Sequence, residues 1–347
     1  EQERMTFTKE DTNIVKGIAI LAMIFHHCYP NSTSIPISML ENSTFLQQLA
    51  SSGKVCVALL TILSGYGLSE SYKNRENKGI VSAVRFSLSH YFQLLSMYWI
   101  AFLTVIILMY MRGTDINMLY GDGILGVRNF MIDFFGLGML FHTNILIGEW
   151  YLTAVIAFYF LFPLLLFLIK KIKWGILVIT YLPWVYYIIA NDFEMHTDWF
   201  AFYTFSFALG IYLSYADLLV IIKNNARKKR TIVFSIIFLL VTAVLRQFLT
   251  LPADPFLSLA IIAIEIVLVS RIPVIKDFLG ICGKQSANMW LLHPWIMSEF
   301  VVFGYRSYVD WFIVVFMTSF AMSLTLNSFK QGIKYNDIVR KIRKKIG

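Results

Sequence analysis

The chain is a succession of long apolar blocks separated by short polar stretches. Blocks such as YFQLLSMYWIAFLTVIILMYM, WYLTAVIAFYFLFPLLLFLIK, TIVFSIIFLLVTAVL and WFIVVFMTSFAMSLTLNSF approach the roughly 20 residues that cross a bilayer as a helix. The pattern predicts spans near residues 13–30, 54–71, 91–111, 150–170, 174–191, 199–222, 231–249, 254–270, 286–304 and 309–329. A further block, ILGVRNFMIDFFGLGMLF, carries Arg128 and Asp133 and is read as an amphipathic or re-entrant piece on the outer side. With it left out, the basic clusters fall on one side: Lys73, Arg75, Lys78 and Arg85; Lys170, Lys171 and Lys173; Lys223 and Arg227 to Arg230; Arg271 and Lys276. The tail IKYNDIVRKIRKKIG joins them, while the opposite loops hold Asp122, Asp192, Glu194, Asp198, Asp254 and Asp310. The positive-inside rule then gives an all-α polytopic membrane bundle of about ten helices with both termini cytoplasmic.

Composition agrees with this reading. Hydrophobic residues make up 58% of the chain and charged residues 15%, with a mean hydropathy of +0.66. A soluble fold could not cover so apolar a chain with polar surface. The expected organisation is a cytoplasmic N-terminus at 1–12, a transmembrane domain at 13–329 and a basic cytoplasmic tail at 330–347. Met5 is a candidate native start, and no cleavable signal pattern precedes Lys16. The net charge of +9 is accounted for by basic cytosolic loops that set orientation and touch anionic lipid, so nucleic acid is not an expected partner. The same loops could gather a polyanionic cytosolic ligand. Cys28, Cys56 and Cys282 are scattered and lack CxxC spacing, which argues for packing rather than disulfides or zinc. There is no P-loop, GxGxxG or HExxH motif, and no internal repeat. Neither a metal nor a permanently bound cofactor is expected.

The first block, NIVKGIAILAMIFHHCYP, holds the most informative pair. Lys16 and His27 are three helical turns plus about 20° apart, so they share one face with about 16 Å of axial separation. Ionisable residues inside a span are costly and usually mark a site or pathway. His26 lies about 100° around the helix from His27. Glu265, in AIIAIEIVLV, reads as a mid-membrane acid that is functional or paired to another helix. Arg246 and the Arg128/Asp133 pair are expected to shape the outer cavity. Ser64 is either a nucleophile or, with Gly65, a small-residue packing site. His293, just before Pro294, is a supporting, packing or substrate-contacting histidine.

Taken in order, these elements resemble the acyltransferase-3 family of membrane proteins, which includes bacterial O-acetyltransferases of surface polysaccharides. The resemblance runs from about Asn13 to Phe329. Its motifs are Lys16 with Gly17-Ile18-Ala19-Ile20 and His27, then Ser64-Gly65-Tyr66. Trp150-Tyr151-Leu152 follows, with Phe158, Tyr159 and Pro163, then Phe207, Leu209, Gly210 and Ile211. The last is Gly283, Ser286, His293 and Pro294 within GKQSANMWLLHPWI. The chain departs from the family pattern in three places. Lys16 stands where Arg is commoner, and the two differ at a bidentate phosphate site. Val155 occupies the position of a frequent acid, with Glu149 just before Trp150 instead. Arg85 and His90 replace an Arg-rich entry to the third span.

The resemblance implies acetyl-CoA, or another acyl-CoA, as donor and a cell-surface glycan or lipid-linked saccharide as acceptor. Localisation would be the bacterial cytoplasmic membrane, in contact with membrane lipids. His27 would be the catalytic base, since an imidazole can take a proton from a hydroxyl at neutral pH. Lys16 and Arg85 would hold the donor's phosphates, and His26, Ser64, Tyr66, Glu149, Trp150, Tyr159, Glu265, Ser286 and His293 are supporting or substrate candidates. From a different class, a secondary transporter or flippase of an anionic or glycolipid substrate also places Lys, His and Glu inside a bundle. The absence of inverted-repeat symmetry speaks against it.

Overall fold

The computed structural model describes residues 6–29, 44–73, 75, 79–141, 149–190, 200–300 and 307–346. It is all-α, with no strand among the described residues. The helices are α1 (Lys9–Cys28), α2 (Thr44–Ser52), α3 (Val55–Lys73), α4 (Ile80–Met111), α5 (Ile116–Tyr120), α6 (Gly123–Phe134), α7 (Gly138–Phe141) and α8 (Glu149–Ile172). They continue as α9 (Gly175–Ala190), α10 (Phe200–Tyr215), α11 (Leu218–Asn224), α12 (Lys229–Leu249), α13 (Asp254–Val267), α14 (Pro273–Phe300), α15 (Tyr308–Gly332) and α16 (Tyr335–Ile346). Two compact units share them. The first runs to Ser32 and includes Glu41–Glu76 and Leu164–Ser286. The second holds the described residues of Asn77–Pro163 and Ala287–Gly347.

In the first unit, α3 is the central helix and packs on α1, α10 and α13. Its sequence is apolar or small on every side, and residues from Val55 to Tyr72 are buried around the whole circumference, as expected of a helix without a solvent face. Glycines set how closely its neighbours approach. A Cβ on Gly65 would stand 2.2 Å from the Phe207 carbonyl oxygen, and one on Gly210 would stand 2.1 Å from that of Ile62. The crossing of α3 and α10 is thus reciprocal, backbone against backbone. A second crossing of the same kind joins α1 to the start of α14. There a Cβ on Gly17 would meet the Leu279 oxygen at 2.1 Å, and one on Gly283 the Asn13 oxygen at 1.7 Å. Small residues in membrane helices permit such contact because packing must replace the missing hydrophobic drive.

The start of α1 is fixed by a capping box. Asp11 N–H donates to the Thr8 hydroxyl at 3.2 Å, and Thr8 N–H donates to Asp11 Oδ2 at 2.6 Å. This satisfies amide groups that a helix N-terminus leaves open. α12 is the opposite of α3: Phe234, Ile237, Leu240, Val241, Val244 and Phe248 are exposed along it, a lipid-facing surface for a membrane helix.

In the second unit, α4 is the longest helix at 32 residues. At 1.5 Å per residue it reaches about 48 Å, some 18 Å more than a roughly 30 Å hydrocarbon core. The apolar run begins at Tyr91, so the excess is the polar stretch IVSAVRFSLSH at its start. The segment 124–141 does not cross as a helix. α6 has 12 residues and the chain turns at Phe135 and Gly136, the latter at φ +71°, a conformation that favours glycine. The turn is tied to α4 and α8: Trp99 Nε1 donates to Phe134 O at 2.7 Å, Tyr91 OH to Phe135 O at 3.0 Å and Thr153 Oγ1 to Gly136 O at 2.9 Å. Trp99 and Tyr91 lie within α4, so the turn after α6 packs along the middle of that helix. Arg128 and Asp133 are not partners, however. Arg128 is exposed and donates to Asn129 Oδ1, while Asp133 is fully buried.

Among the described residues, six stretches are both long and apolar enough to cross a membrane: Phe45–Lys73, Ile80–Met111, Trp150–Ile172, Lys229–Leu249, Leu251–Arg271 and Tyr308–Gly332. α10 and α11, bent by 59°, pass together as a broken seventh. The expected ten are not reached by this measure, for physical reasons particular to three helices. α1 carries Lys9, Glu10, Asp11 and Lys16, α9 has only 16 residues, and α14 begins with a charged stretch. Each is nevertheless a helix where a span was expected. Asp192, Glu194 and Asp198, expected on the outer side, lie outside the described residues.

The glycine crossings predict a sharp contrast. Gly210→Ala should destabilise the fold by about 1–3 kcal/mol or more, because backbone must move to admit the methyl. Gly67→Ala, with nothing within 4 Å of its Cβ position, should be neutral or slightly stabilising. Thermal unfolding in one detergent checks both, and equal melting temperatures for the two variants would contradict the crossing.

Candidate functional site

Lys16 sits on the continuous helix α1, five residues beyond the capping Asp11. It is half-buried, and among the described residues its ammonium has neither a hydrogen bond nor an ion pair. A half-buried cation without a counter-charge is less favourable than a solvated or paired one. Between Lys16 and His27 the same face is occupied by Ile20 and Met23, both buried. The helix is unbroken, so the two remain about 16 Å apart along its axis.

The other end of α1 carries a polar cluster. His26 Nδ1 donates to the Ala50 carbonyl at 2.8 Å. A carbonyl only accepts, so Nδ1 bears the proton and the neutral ring presents Nε2 as its basic nitrogen. The next carbonyl, Ser51 O, accepts from Arg246 Nη2 at 3.0 Å. Arg246 Nε donates in turn to Asp254 Oδ1 at 3.0 Å, an ion pair whose side chains are 5% and 4% exposed. The end of α2 thereby satisfies its open carbonyls with one donor from α1 and one from α12. Lys54 lies within electrostatic reach of both His26 and Asp254. His27 is half-buried beside this cluster, its ring centroid 5.4 Å from that of His26. Sequence reasoning passed over Asp254 as an acid of an outer loop. The signal for it was its place, eight residues after Arg246 across a tight turn.

α13 ends at Val267, so Glu265 lies in its last turn. It is fully buried, and neither carboxyl oxygen has a hydrogen-bond partner among the described residues. Its electrostatic neighbours are Asp11, Lys223 and Glu10, at the same end of the unit as the start of α1. There Lys223 pairs with Asp11, and Lys276 pairs with Glu10 at 2.8 Å. The remaining candidates of this unit are turned to their own helices. Ser64 donates to Leu60 O at 2.9 Å and Ser286 to Gly283 O at 2.8 Å, while Tyr66 is buried edge-on to Phe7 with centroids 5.3 Å apart.

Other candidates belong to the second unit. Arg85 is exposed on the polar overhang of α4, with no hydrogen bond or ion pair among the described residues. His90, one turn on, packs against Phe86 at 4.3 Å and faces the edge of Tyr159 at 6.1 Å. Trp150 is half-buried at the start of α8, and its neighbour Tyr151 meets Trp290 edge-on at 5.4 Å. The Glu149 side chain lies outside the described residues. His293 is buried, its Nδ1 donating to the carbonyls of Trp290 at 2.8 Å and Met289 at 3.2 Å. Sequence reasoning missed Lys330, which is 5% exposed and donates to Asn288 Oδ1 at 2.9 Å, with Asn288 Nδ2 bonded to Asn327 Oδ1 at 3.0 Å. Its position at the end of an apolar run had marked it as part of a solvated tail.

Two half-buried groups therefore present chemistry on one face of α1: an ammonium without a carboxylate among the described residues, and an imidazole beside a fixed polar cluster. Comparison with known proteins agrees with the motif order read above. Residues 10–327 match the family model described as an acyltransferase domain of the acyltransferase-3 type. Neither a curated protein nor a solved structure matches the chain. The family match covers nearly all of it, from the second helical residue of α1 to the last turns of α15, and the chain belongs to the acyltransferase-3 family as a multi-pass membrane acyltransferase.

Proposed function

We propose that this acyltransferase is an O-acetyltransferase that carries an acetyl group from acetyl-CoA in the cytosol to a hydroxyl of a glycan or lipid-linked saccharide. The observation that carries the reading is the shared face of Lys16 and His27 on α1, with Lys16 lacking a carboxylate among the described residues. Both termini are cytoplasmic in this scheme, consistent with the basic segments at Lys223 to Arg230 and in α16. Lys16 binds a phosphate of the donor, and the pantetheine arm covers the distance to His27. His27 takes the proton of the acceptor hydroxyl as its oxygen attacks the thioester carbonyl. The carbon–sulfur bond then breaks, and the departing thiolate receives a proton, leaving an acetyl ester and free CoA. A neighbouring His26 with a fixed tautomer and the Arg246–Asp254 pair hold the end of α2 beside this chemistry. The membrane is bacterial and cytoplasmic in this reading, in keeping with a surface-glycan acceptor.

Purified protein in detergent, supplied with acetyl-CoA and a saccharide acceptor, tests the assignment. His27→Ala should lower the transfer rate by roughly a hundredfold or more, the usual consequence of losing a general base. It should still insert and fold, since a small apolar residue is readily accepted in a span. Near-normal transfer by a well-expressed variant would end the role of His27.

Lys16→Ala should act on a different parameter. It should raise the apparent KM for the donor about tenfold with little change in saturated rate, because charge-assisted phosphate contacts are of that size. Lys16→Arg should retain much of the activity. An unchanged donor constant in Lys16→Ala would move the phosphates to other cations.

A further inference from the structure

The overhang of α4 before Tyr91 is polar in sequence yet exposes apolar side chains. Ala83, Phe86 and Ser87 are buried, while Ile80, Val81, Val84 and Leu88 are exposed. At 100° per residue these four lie within about 100° of one another, so they form one stripe. The tail helix α16 packs on α4 and lies beyond residue 327, where the family match ends. Tyr335 OH donates to Ser96 O at 2.7 Å, and Arg343 Nε donates to Ser89 Oγ at 3.3 Å. Higher residue numbers on α16 meet lower ones on α4, so the two run antiparallel. Tyr335, Val339 and Arg343, each half-buried and four residues from the next, make the face turned to α4. Ile338 and Ile342 are exposed, about 60–100° around the helix from the centre of that face.

Seen from one end, two antiparallel right-handed helices wind in opposite senses. With Ser89 and Ser96 of α4 turned to Arg343 and Tyr335 of α16, this places Val81 and Leu88 on the same side of the pair as Ile338 and Ile342. The two helices thus share one apolar surface, and cations border it. Lys345 stands about 20° around α16 from Ile338, and Lys341 about 60°. Both are exposed and neither has an ion pair among the described residues, whereas Arg340 is paired with Asp337 at 2.9 Å. Water would leave the isoleucines uncovered, and the hydrocarbon core would strand the lysines. A twofold contact with a second copy would bring like charges together. The boundary between headgroups and acyl chains suits both kinds of residue. Apolar side chains enter it, and lysine stems lie along it with their ammonium groups among the phosphates.

We propose that α16 and the overhang of α4 form an interfacial platform that binds anionic phospholipid headgroups, with Ile338, Ile342 and Leu88 at the acyl boundary and Lys341 and Lys345 on the phosphates. Two lysines at such a surface favour an anionic over a neutral bilayer about thirtyfold, roughly a factor of five each. In the topology proposed above, this surface meets the cytosolic leaflet. The platform is independent of the donor and acceptor assigned to the enzyme.

The test is thiol labelling of the full-length protein in nanodiscs, where the buried Cys28, Cys56 and Cys282 give little background. The Ile338→Cys variant is reacted with an uncharged polyethylene-glycol maleimide in discs of phosphatidylcholine alone and in discs with phosphatidylglycerol added. Its new thiol should react about tenfold or more slowly in the anionic discs. Lys341→Gln with Lys345→Gln in the same background should remove most of that difference. Lys344→Cys, on another face of α16, should react at similar rates in both lipids. Val339→Cys, turned to α4, should react slowly throughout and reports that the helix is still docked. Equal rates for Ile338→Cys in the two lipids would overturn the proposal. A difference that survives the paired lysine substitutions would overturn the role of Lys341 and Lys345. Slow labelling already in detergent, relieved by dilution, would assign the surface to a second copy and overturn the platform as well.

Discussion

Backbone contact between helices, permitted by glycine, is the constraint on which the first unit depends. α3 can be central only because Gly65 and Gly210 let it lie directly on α10, and α1 can meet α14 only through Gly17 and Gly283. In a bilayer, apolar side chains gain little by leaving lipid for protein, so close van der Waals packing must hold helices together. The four glycines are the same ones that stand in the recurring motifs of the chain. Much of what looks like an active-site signature in the sequence is therefore a set of crossing points. Those crossings hold α1, and with it Lys16 and His27, against the rest of the unit.

Against that rigid frame the charges divide into two kinds. Asp11 with Lys223, Glu10 with Lys276, and Arg246 with Asp254 are neutralised pairs that tie helix ends together. The buried pair is weak evidence for stability as such, because desolvation offsets much of its attraction, but removing one partner would strand the other. Lys16, Arg85 and Arg343 have no such partner among the described residues.

The helical, membrane-spanning character was legible because apolar runs of the right length admit few alternatives, and the run starting at Tyr91 falls within α4. The neighbours of each helix were not legible. A helix apolar on all sides, such as α3, gives no hint of which face meets α10, and Gly17 meets Leu279 from almost the other end of the chain. The end of α13 at Val267 was not legible either, because the apolar sequence continues through Leu268 and Val269. The shared face of Lys16 and His27 follows from helical geometry alone and survives intact. Arg343 escaped notice because a basic tail reads as solvated, and only its contact with Ser89 distinguishes it from Lys344 and Lys345.

The central claim is that one helix face carries a group from a cytosolic donor to an acceptor on the other side. Sealed vesicles of known orientation test it most directly. Acetyl-CoA bearing a labelled acetyl group is supplied only to the face carrying the basic loops, and the glycan acceptor only to the opposite face. The account predicts labelled glycan on the acceptor side, with free coenzyme A accumulating on the donor side. Labelled glycan formed only when donor and acceptor share the cytosolic face would contradict it.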